Sequence, residues 1–329
     1  MGRKQPSVAR TPVSLRRNAR AKQAKETINV IIPRLLSTHP RARRGINATE
    51  LLTEPLQDDG SPMSILKDGP RLSLQVADTL TAARSLLFLE SNDSVDLENR
   101  ISKVAILNMA SPLSPGGGFL NGANSQEESL CRRTTLLPSL KDDFYRLPEL
   151  GVVYSPDVLV FRDESCEQIL EKKDRWYVDC ITAAMLRNPD CEHDTAGNRV
   201  YETQKDRDLA LAKMRAVLRV CRMKGIQKLV LGAWGCGAYG NPPGEIASGW
   251  RKALGPPKDK RKCVTNNVNK WDGIKEVVFA IKETKMARQF AIAFGDDLLE
   301  TTPELGIGGS GSESSELDQT YGQDVSSWH

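Results

Sequence analysis

Lys103-Val104-Ala105-Ile106-Leu107-Asn108-Met109-Ala110 runs through a short connection into Pro115-Gly116-Gly117-Gly118-Phe119-Leu120-Asn121-Gly122-Ala123-Asn124-Ser125-Gln126-Glu127-Glu128. The first part is almost wholly apolar, the mark of a strand buried on both faces of a sheet. Three consecutive glycines have no side chains to pack and cost backbone entropy to order. They suit a backbone that lies close against something, often a phosphate held by bare N–H groups. A buried strand emptying into such a loop at its carboxyl end is where open α/β sheets bind ligands. Acidic side chains are odd neighbours for an anion unless they act on another part of the same ligand.

Further strands and helices alternate around this unit. Upstream, Arg71 to Val76 alternates like a strand. Asp78-Thr79 stands at an N-cap position ahead of Leu80, Ala83, Leu86 and Leu87 at helical spacing. Downstream, Ser125 to Leu137 reads as a helix, and Pro156 to Arg162 and Arg175 to Ala184 as strands. Asp206 to Lys224 is an amphipathic helix stopped by Gly225. Lys228 to Trp234 is a second buried strand, followed by Gly235-Cys236-Gly237-Ala238-Tyr239-Gly240-Asn241 and a helix from Glu245 to Leu254. Lys275 to Ile281 is the last strand read, and 188–201 and 255–272 read as polar loops. The pattern predicts an α/β fold, a mixed sheet sandwiched by helices.

The ends differ from the middle. Residues 1–48 hold twelve Lys/Arg and one acid, Glu26, whereas 296–329 hold eight Asp/Glu and no Lys/Arg. Residues 1–17 read as a mobile basic arm, which suits either contact with nucleic acid or another polyanion, or a solvated tail. Residues 18–70 read as a helical N-terminal extension, its helix from Asn18 to about Ser37 kinked or split at Pro33. Residues 71–295 then form the main domain and 296–329 a disordered acidic tail. No apolar run is long enough to span a bilayer, so no membrane is expected. Seven irregularly spaced cysteines suit reduced thiols in the cytosol or nucleus. Cys191-Glu192-His193 is the one place a metal could be imagined, and it reads better as polar loop. The chain is expected to be monomeric.

The two glycine loops belong together, because each follows a buried strand and each offers backbone N–H groups. Two such loops can clamp a diphosphate without any Lys or Arg. Tyr239 either lies over a base or sugar or caps the sheet edge. Glu127 and Glu128, adjacent in sequence, are not expected to converge on one atom as the two carboxylates of an ordinary glycosidase do. They are either solvated acids at a helix N-terminus or an acid and its helper. An acid working near neutral pH needs a pKa raised by burial or a like charge. The neighbouring carboxylate and the glycine loop can supply both.

Asn108-Met109-Ala110-Ser111, Pro115 to Gly118 and Gln126-Glu127-Glu128 together resemble the signature of the microbial-type (bacterial-type) poly(ADP-ribose) glycohydrolases. Asp78 to Arg84, Ser129 to Arg132 and Leu231 to Gly237 look like further blocks of that family in the expected order, and the likeness covers about 18–283. The resemblance implies a macrodomain-like three-layer α/β/α sandwich that hydrolyses ribose–ribose bonds in poly(ADP-ribose) and releases ADP-ribose, with no metal or other cofactor. It implies Glu128 as general acid, with Glu127 on the ribose hydroxyls. Asn108, Gly116, Gly117, Gly118, Gln126, Gly235, Cys236, Gly237, Ala238 and Tyr239 would then line the substrate. Asp78 either reaches the adenine or caps its helix. Met109 departs from an aromatic common in the family, and 188–201 and 255–272 match no block. The partners implied are poly(ADP-ribose) and ADP-ribosylated proteins, with nuclear or cytoplasmic residence. Two other functions fit the same residues: a non-catalytic ADP-ribose reader, and a hydrolase removing ADP-ribose from nucleic acid held by the basic arm.

Overall fold

The structure, a computed structural model, describes residues 11–53, 70–88, 104–255, 273–295 and 298. In chain order they form α1 (Pro12–Glu26), α2 (Ile32–Thr38), α3 (Pro40–Asn47), β1 (Glu50–Leu52), β2 (Arg71–Gln75), α4 (Thr79–Phe88), β3 (Val104–Met109), α5 (Gln126–Arg133), β4 (Val152–Val160) and β5 (Trp176–Ala183). The short strands β6 (Cys191–His193) and β7 (Arg199–Tyr201) follow, then α6 (Gln204–Met223), β8 (Lys228–Leu231), α7 (Pro243–Leu254), β9 (Glu276–Ala280) and α8 (Thr284–Phe294).

Seven strands share one sheet in the order β1-β4-β5-β3-β8-β9-β2, which puts β3 at its centre. From β5 through β3, β8 and β9 to β2 the strands are parallel, and β4 and β1 close the other side antiparallel. Side chains alternate across the sheet with the period of two that a strand imposes. Ala105, Leu107, Ile181, Leu229 and Phe279 pack against α6, α7 and α8, through residues such as Met214, Val217, Ile246, Trp250, Phe290 and Phe294. Ile106, Val178, Cys180, Val230 and Val278 pack the other way, against Leu80, Ala83, Leu86 and Leu130 of α4 and α5. Both faces are covered, which is why these strands read as unbroken apolar runs. The architecture is a macrodomain-like three-layer α/β/α sandwich with a mixed sheet.

Several expectations need correction. The N-terminal helix starts at Pro12, so residues 12–17 are its first turns rather than mobile arm; the Thr11 side chain caps it by accepting from the Ser14 N–H at 3.3 Å. Pro33 does not break the helix. A wider turn at Thr27–Ile31 joins α1 to α2, and Pro33 falls in the first turn of α2, where a missing N–H costs little. The extension expected to be helical also supplies a strand: after α3 comes β1, which pairs with β4. The extension is therefore built into the sheet. It is held there by Ile31, Ile32, Leu35 and Ala42 against Leu159 and Phe161. Helix α5 ends at Arg133, and Leu137–Ser139 makes a separate turn with Pro138 in its middle. Residues 188–201 contain the β6–β7 hairpin. Helix α8 was not anticipated, although Ala287, Phe290, Ala291 and Phe294 recur at helical spacing and all are buried. The acidic tail, apart from Leu298, and the loop at 256–272 lie outside the described residues.

Candidate active site

Strands β3 and β8 pair in parallel, with Val104 opposite Lys228 and Ile106 opposite Val230. Their carboxyl ends therefore release the two glycine loops side by side. A Cβ added to Gly232 would lie 2.6 Å from Cε of Met109, so the strand ends touch. Met109 fills that apolar position without an aromatic ring.

The first loop turns its glycine N–H groups onto the protein. The Gly117 N–H donates to the Ser114 carbonyl at 3.1 Å. The Gly118 N–H donates to Oε1 of Glu128 at 2.9 Å, and the Gly116 N–H bonds the carboxylate of Glu127. The N–H groups expected to face a diphosphate thus hold the two glutamates. Gly117 has φ +54°, and a Cβ there would stand 2.8 Å from Oε1 of Glu128 and 3.0 Å from Oε2 of Glu127. The two carboxylates do converge, on the bare face of Gly117. The expectation that neighbouring acids on a helix must diverge failed because Ser125 and Glu128 form a capping box: Glu128 folds back and accepts from the Ser125 N–H at 2.9 Å.

Neither glutamate is a solvated surface acid, with exposures of 3% for Glu127 and 6% for Glu128. Burial pushes Glu127 up to about 8, and the charge of Glu128 adds to the rise. The Ser111 N–H at 2.8 Å and the Asn108 Nδ2 at 3.4 Å act in the opposite direction. Asn108 is wholly buried; its Nδ2 also reaches Thr182 at 3.2 Å, and its Oδ1 finds no partner among the described residues. Gln126, expected on the substrate, is engaged elsewhere. Its amide accepts from the Met109 N–H at 2.9 Å and donates to the Leu107 carbonyl at 2.7 Å and to Thr79, fastening α5 to the end of β3.

The second loop is the reverse. The N–H groups of Gly235, Gly237, Ala238 and Tyr239 have no acceptor among the described residues. No atom lies within 4 Å of where a Gly237 side chain would project. Cys236 is the exception, its N–H donating to the Ala233 carbonyl and its thiol resting on the Trp234 carbonyl. Tyr239 is half-buried, with its hydroxyl bonded to Ser111 and near Glu127, so it bridges the two loops. Asn241, which sequence reasoning missed, fixes the loop. Its amide donates to the Leu186 carbonyl at 2.8 Å and the Gly235 carbonyl at 3.0 Å, and accepts from the Tyr201 hydroxyl at 2.8 Å.

Asp78 caps α4 through the Leu80 N–H at 2.9 Å and pairs with Arg133 at 2.6 Å. Burial raises its pKa, but Arg133 and these hydrogen bonds leave it below the ordinary value. Tyr145 was also missed. Its buried hydroxyl has no partner among the described residues, and burial together with nearby Glu127 pushes its pKa up. Cys191 and His193 lie in β6, and no group of three metal-ligating side chains occurs among the described residues.

Residues 24–163 match the family described as microbial-type PARG, catalytic domain, where PARG is poly(ADP-ribose) glycohydrolase. Over that stretch the chain is similar in sequence to the microbial-type PARG catalytic domain. The stretch contains the triple glycine and both glutamates but stops before the second loop. The structural likeness goes further. A PARG of Thermomonospora curvata is 26% identical with a TM-score of 0.63, over 84% of this chain and 100% of that one. The same enzyme bound to the inhibitor ADP-HPD gives 26% and 0.59, over 84% and 98%. A PARG of Deinococcus radiodurans in complex with ADP-ribose gives 25% and 0.57, over 81% and 98%. No curated protein matches the chain in sequence.

Proposed function

We propose that the protein is a poly(ADP-ribose) glycohydrolase that cuts ribose–ribose O-glycosidic bonds from the polymer end and releases ADP-ribose. The observation that carries this reading is the convergence of two buried carboxylates on Gly117, beside a loop in which the N–H groups of Gly235, Gly237, Ala238 and Tyr239 have no acceptor among the described residues. A reader of ADP-ribose has no use for such a pair.

In this reading the diphosphate lies on the N–H groups of Gly237, Ala238 and Tyr239. The bare face of Gly117 lets the ribose approach the acids. Glu128 protonates the glycosidic oxygen as the C1–O bond breaks. The oxocarbenium-like centre takes up water, and the Glu128 carboxylate receives the water's proton. Glu127 and the Oδ1 of Asn108, which has no partner among the described residues, accept from ribose hydroxyls. A second assignment, with Glu127 as proton donor, is favoured by one observation: its pKa of about 8 keeps it protonated at neutral pH.

Incubating the purified chain with poly(ADP-ribose) and following free ADP-ribose by chromatography tests the function. Release is expected, and polymer bound but left intact would favour a reader. Glu128→Gln is expected to stop release while Glu127→Gln retains some; the reverse pattern would transfer the acid role to Glu127.

A further inference from the structure

Helix α1 lies directly on the turn that follows the three glycines. Ala24 packs with Phe119 and Cys131. Gly122, at φ +73°, has no room for a Cβ, which would fall 2.1 Å from the Arg17 carbonyl. Three successive carbonyls of that turn each accept from a different guanidinium. Arg17 Nε reaches the Asn121 oxygen at 3.0 Å, Arg20 Nε the Gly122 oxygen at 2.7 Å and Arg132 Nη1 the Ala123 oxygen at 2.9 Å.

This gathering is electrostatically costly. Arg16 and Arg20 stand four apart on one helix, a spacing at which like charges destabilise. Burial, with Arg132, Arg17 and Arg16 nearby, lowers the pKa of Arg20. No carboxylate among the described residues pairs with any of the four. Arg16 and Arg17 are exposed. A cluster of cations with no internal counter-charge is completed by an external anion.

Its position says which anion. The same turn holds Glu128 from its other side, since the Ala123 N–H donates to the Gly118 carbonyl at 3.1 Å and the Ser125 N–H to Glu128. A polymer whose terminal unit fills the pocket must leave past the bond being cut, and each of its units carries a diphosphate. We propose that Arg16, Arg17 and Arg20, backed by the buried Arg132, form a second subsite that binds the diphosphate of the next polymer unit. This rests on the reading of the protein as a poly(ADP-ribose) glycohydrolase.

Arg16→Glu tests it, because Arg16 is exposed and, among the described residues, makes no hydrogen bond to the turn. In the full chain the variant is expected to raise KM for long polymer about tenfold and to lower the salt slope of polymer binding by about one. Its kcat at saturating polymer and its affinity for ADP-ribose stay unchanged. An unchanged polymer KM, or an equal loss of ADP-ribose affinity, would overturn the subsite. So would competition by a single-stranded oligonucleotide as effective as that by polymer of equal charge, which would make the cluster a general polyanion surface. If the unmutated protein fails to cut polymer, the glycohydrolase reading falls and the subsite with it. That outcome is distinct from a polymer-cutting enzyme indifferent to Arg16.

Discussion

The loop after β3 and the loop after β8 leave the carboxyl ends of neighbouring parallel strands in the middle of the sheet, and both are rich in glycine. In the first, the N–H groups of Gly116 and Gly118 hold Glu127 and Glu128, and Gly117 supplies a face without a side chain. In the second, four N–H groups have no acceptor among the described residues, while Asn241 fixes the loop from behind. The same residue type thus serves opposite ends. One loop positions acids; the other receives an anion. Glycine content alone says that a backbone must bend or come close, and the direction of its N–H groups comes from what packs behind it.

The contrast can be broken at several points. Glu128→Ala is expected to lower kcat about a thousandfold with ADP-ribose affinity kept, as read by polymer turnover and calorimetry. Comparable loss of both would mean that Glu128 only supports the loop. Gly117→Ala adds a methyl where two carboxylates stand at 2.8 and 3.0 Å; a displacement of that kind costs activity about a hundredfold, and near-normal turnover would remove the convergence from the account. Asn241→Leu leaves the Tyr201 hydroxyl unpaired and the second loop loose. It is expected to raise KM about tenfold with kcat little changed, on the order of 1–3 kcal/mol for the lost partners. A kcat effect instead would tie the second loop to the chemistry. Gly237→Ala points into open space and is expected to change KM less than about threefold.

Glu127 gives a pH test with a definite sign. Its folded pKa of about 8 lies above the 4.5 of an unperturbed glutamate, so the folded state binds a proton that the unfolded chain has released. Its contribution is therefore fully present below about pH 4.5 and is lost as pH rises through about 8. The unmutated protein should lose a few kcal/mol across that window relative to Glu127→Gln, on the order expected for a shift of this size. Parallel Tm curves for the two proteins between pH 5 and 9 would show that burial of Glu127 carries no such cost.

Strands β3, β8 and β9 were legible in the sequence because a strand covered on both faces is apolar at every position. Helix α6 was legible for its amphipathic period and the glycine that stops it. Position 125 held more than was read from it. Ser125-Gln126-Glu127-Glu128 has the spacing of a capping box, and that box is what turns Glu128 back toward Gly117. Gln126 was assigned to substrate because it sits in the signature. Only the fold reveals that its amide is taken by the backbone of β3. Strand β1 and Asn241 left almost no local signal, since a three-residue edge strand and a loop asparagine become recognisable only beside β4 and the Tyr201 hydroxyl.

The division of labour between the loops can be measured directly by titrating the labelled protein with ADP-ribose and following backbone amide resonances. The account predicts large shifts and slowed hydrogen exchange at Gly237, Ala238 and Tyr239, whose N–H groups acquire an acceptor. Gly116 and Gly118, already bonded to the glutamates, should keep their exchange rates. Protection that grows at the triple glycine and not at the second loop would contradict it.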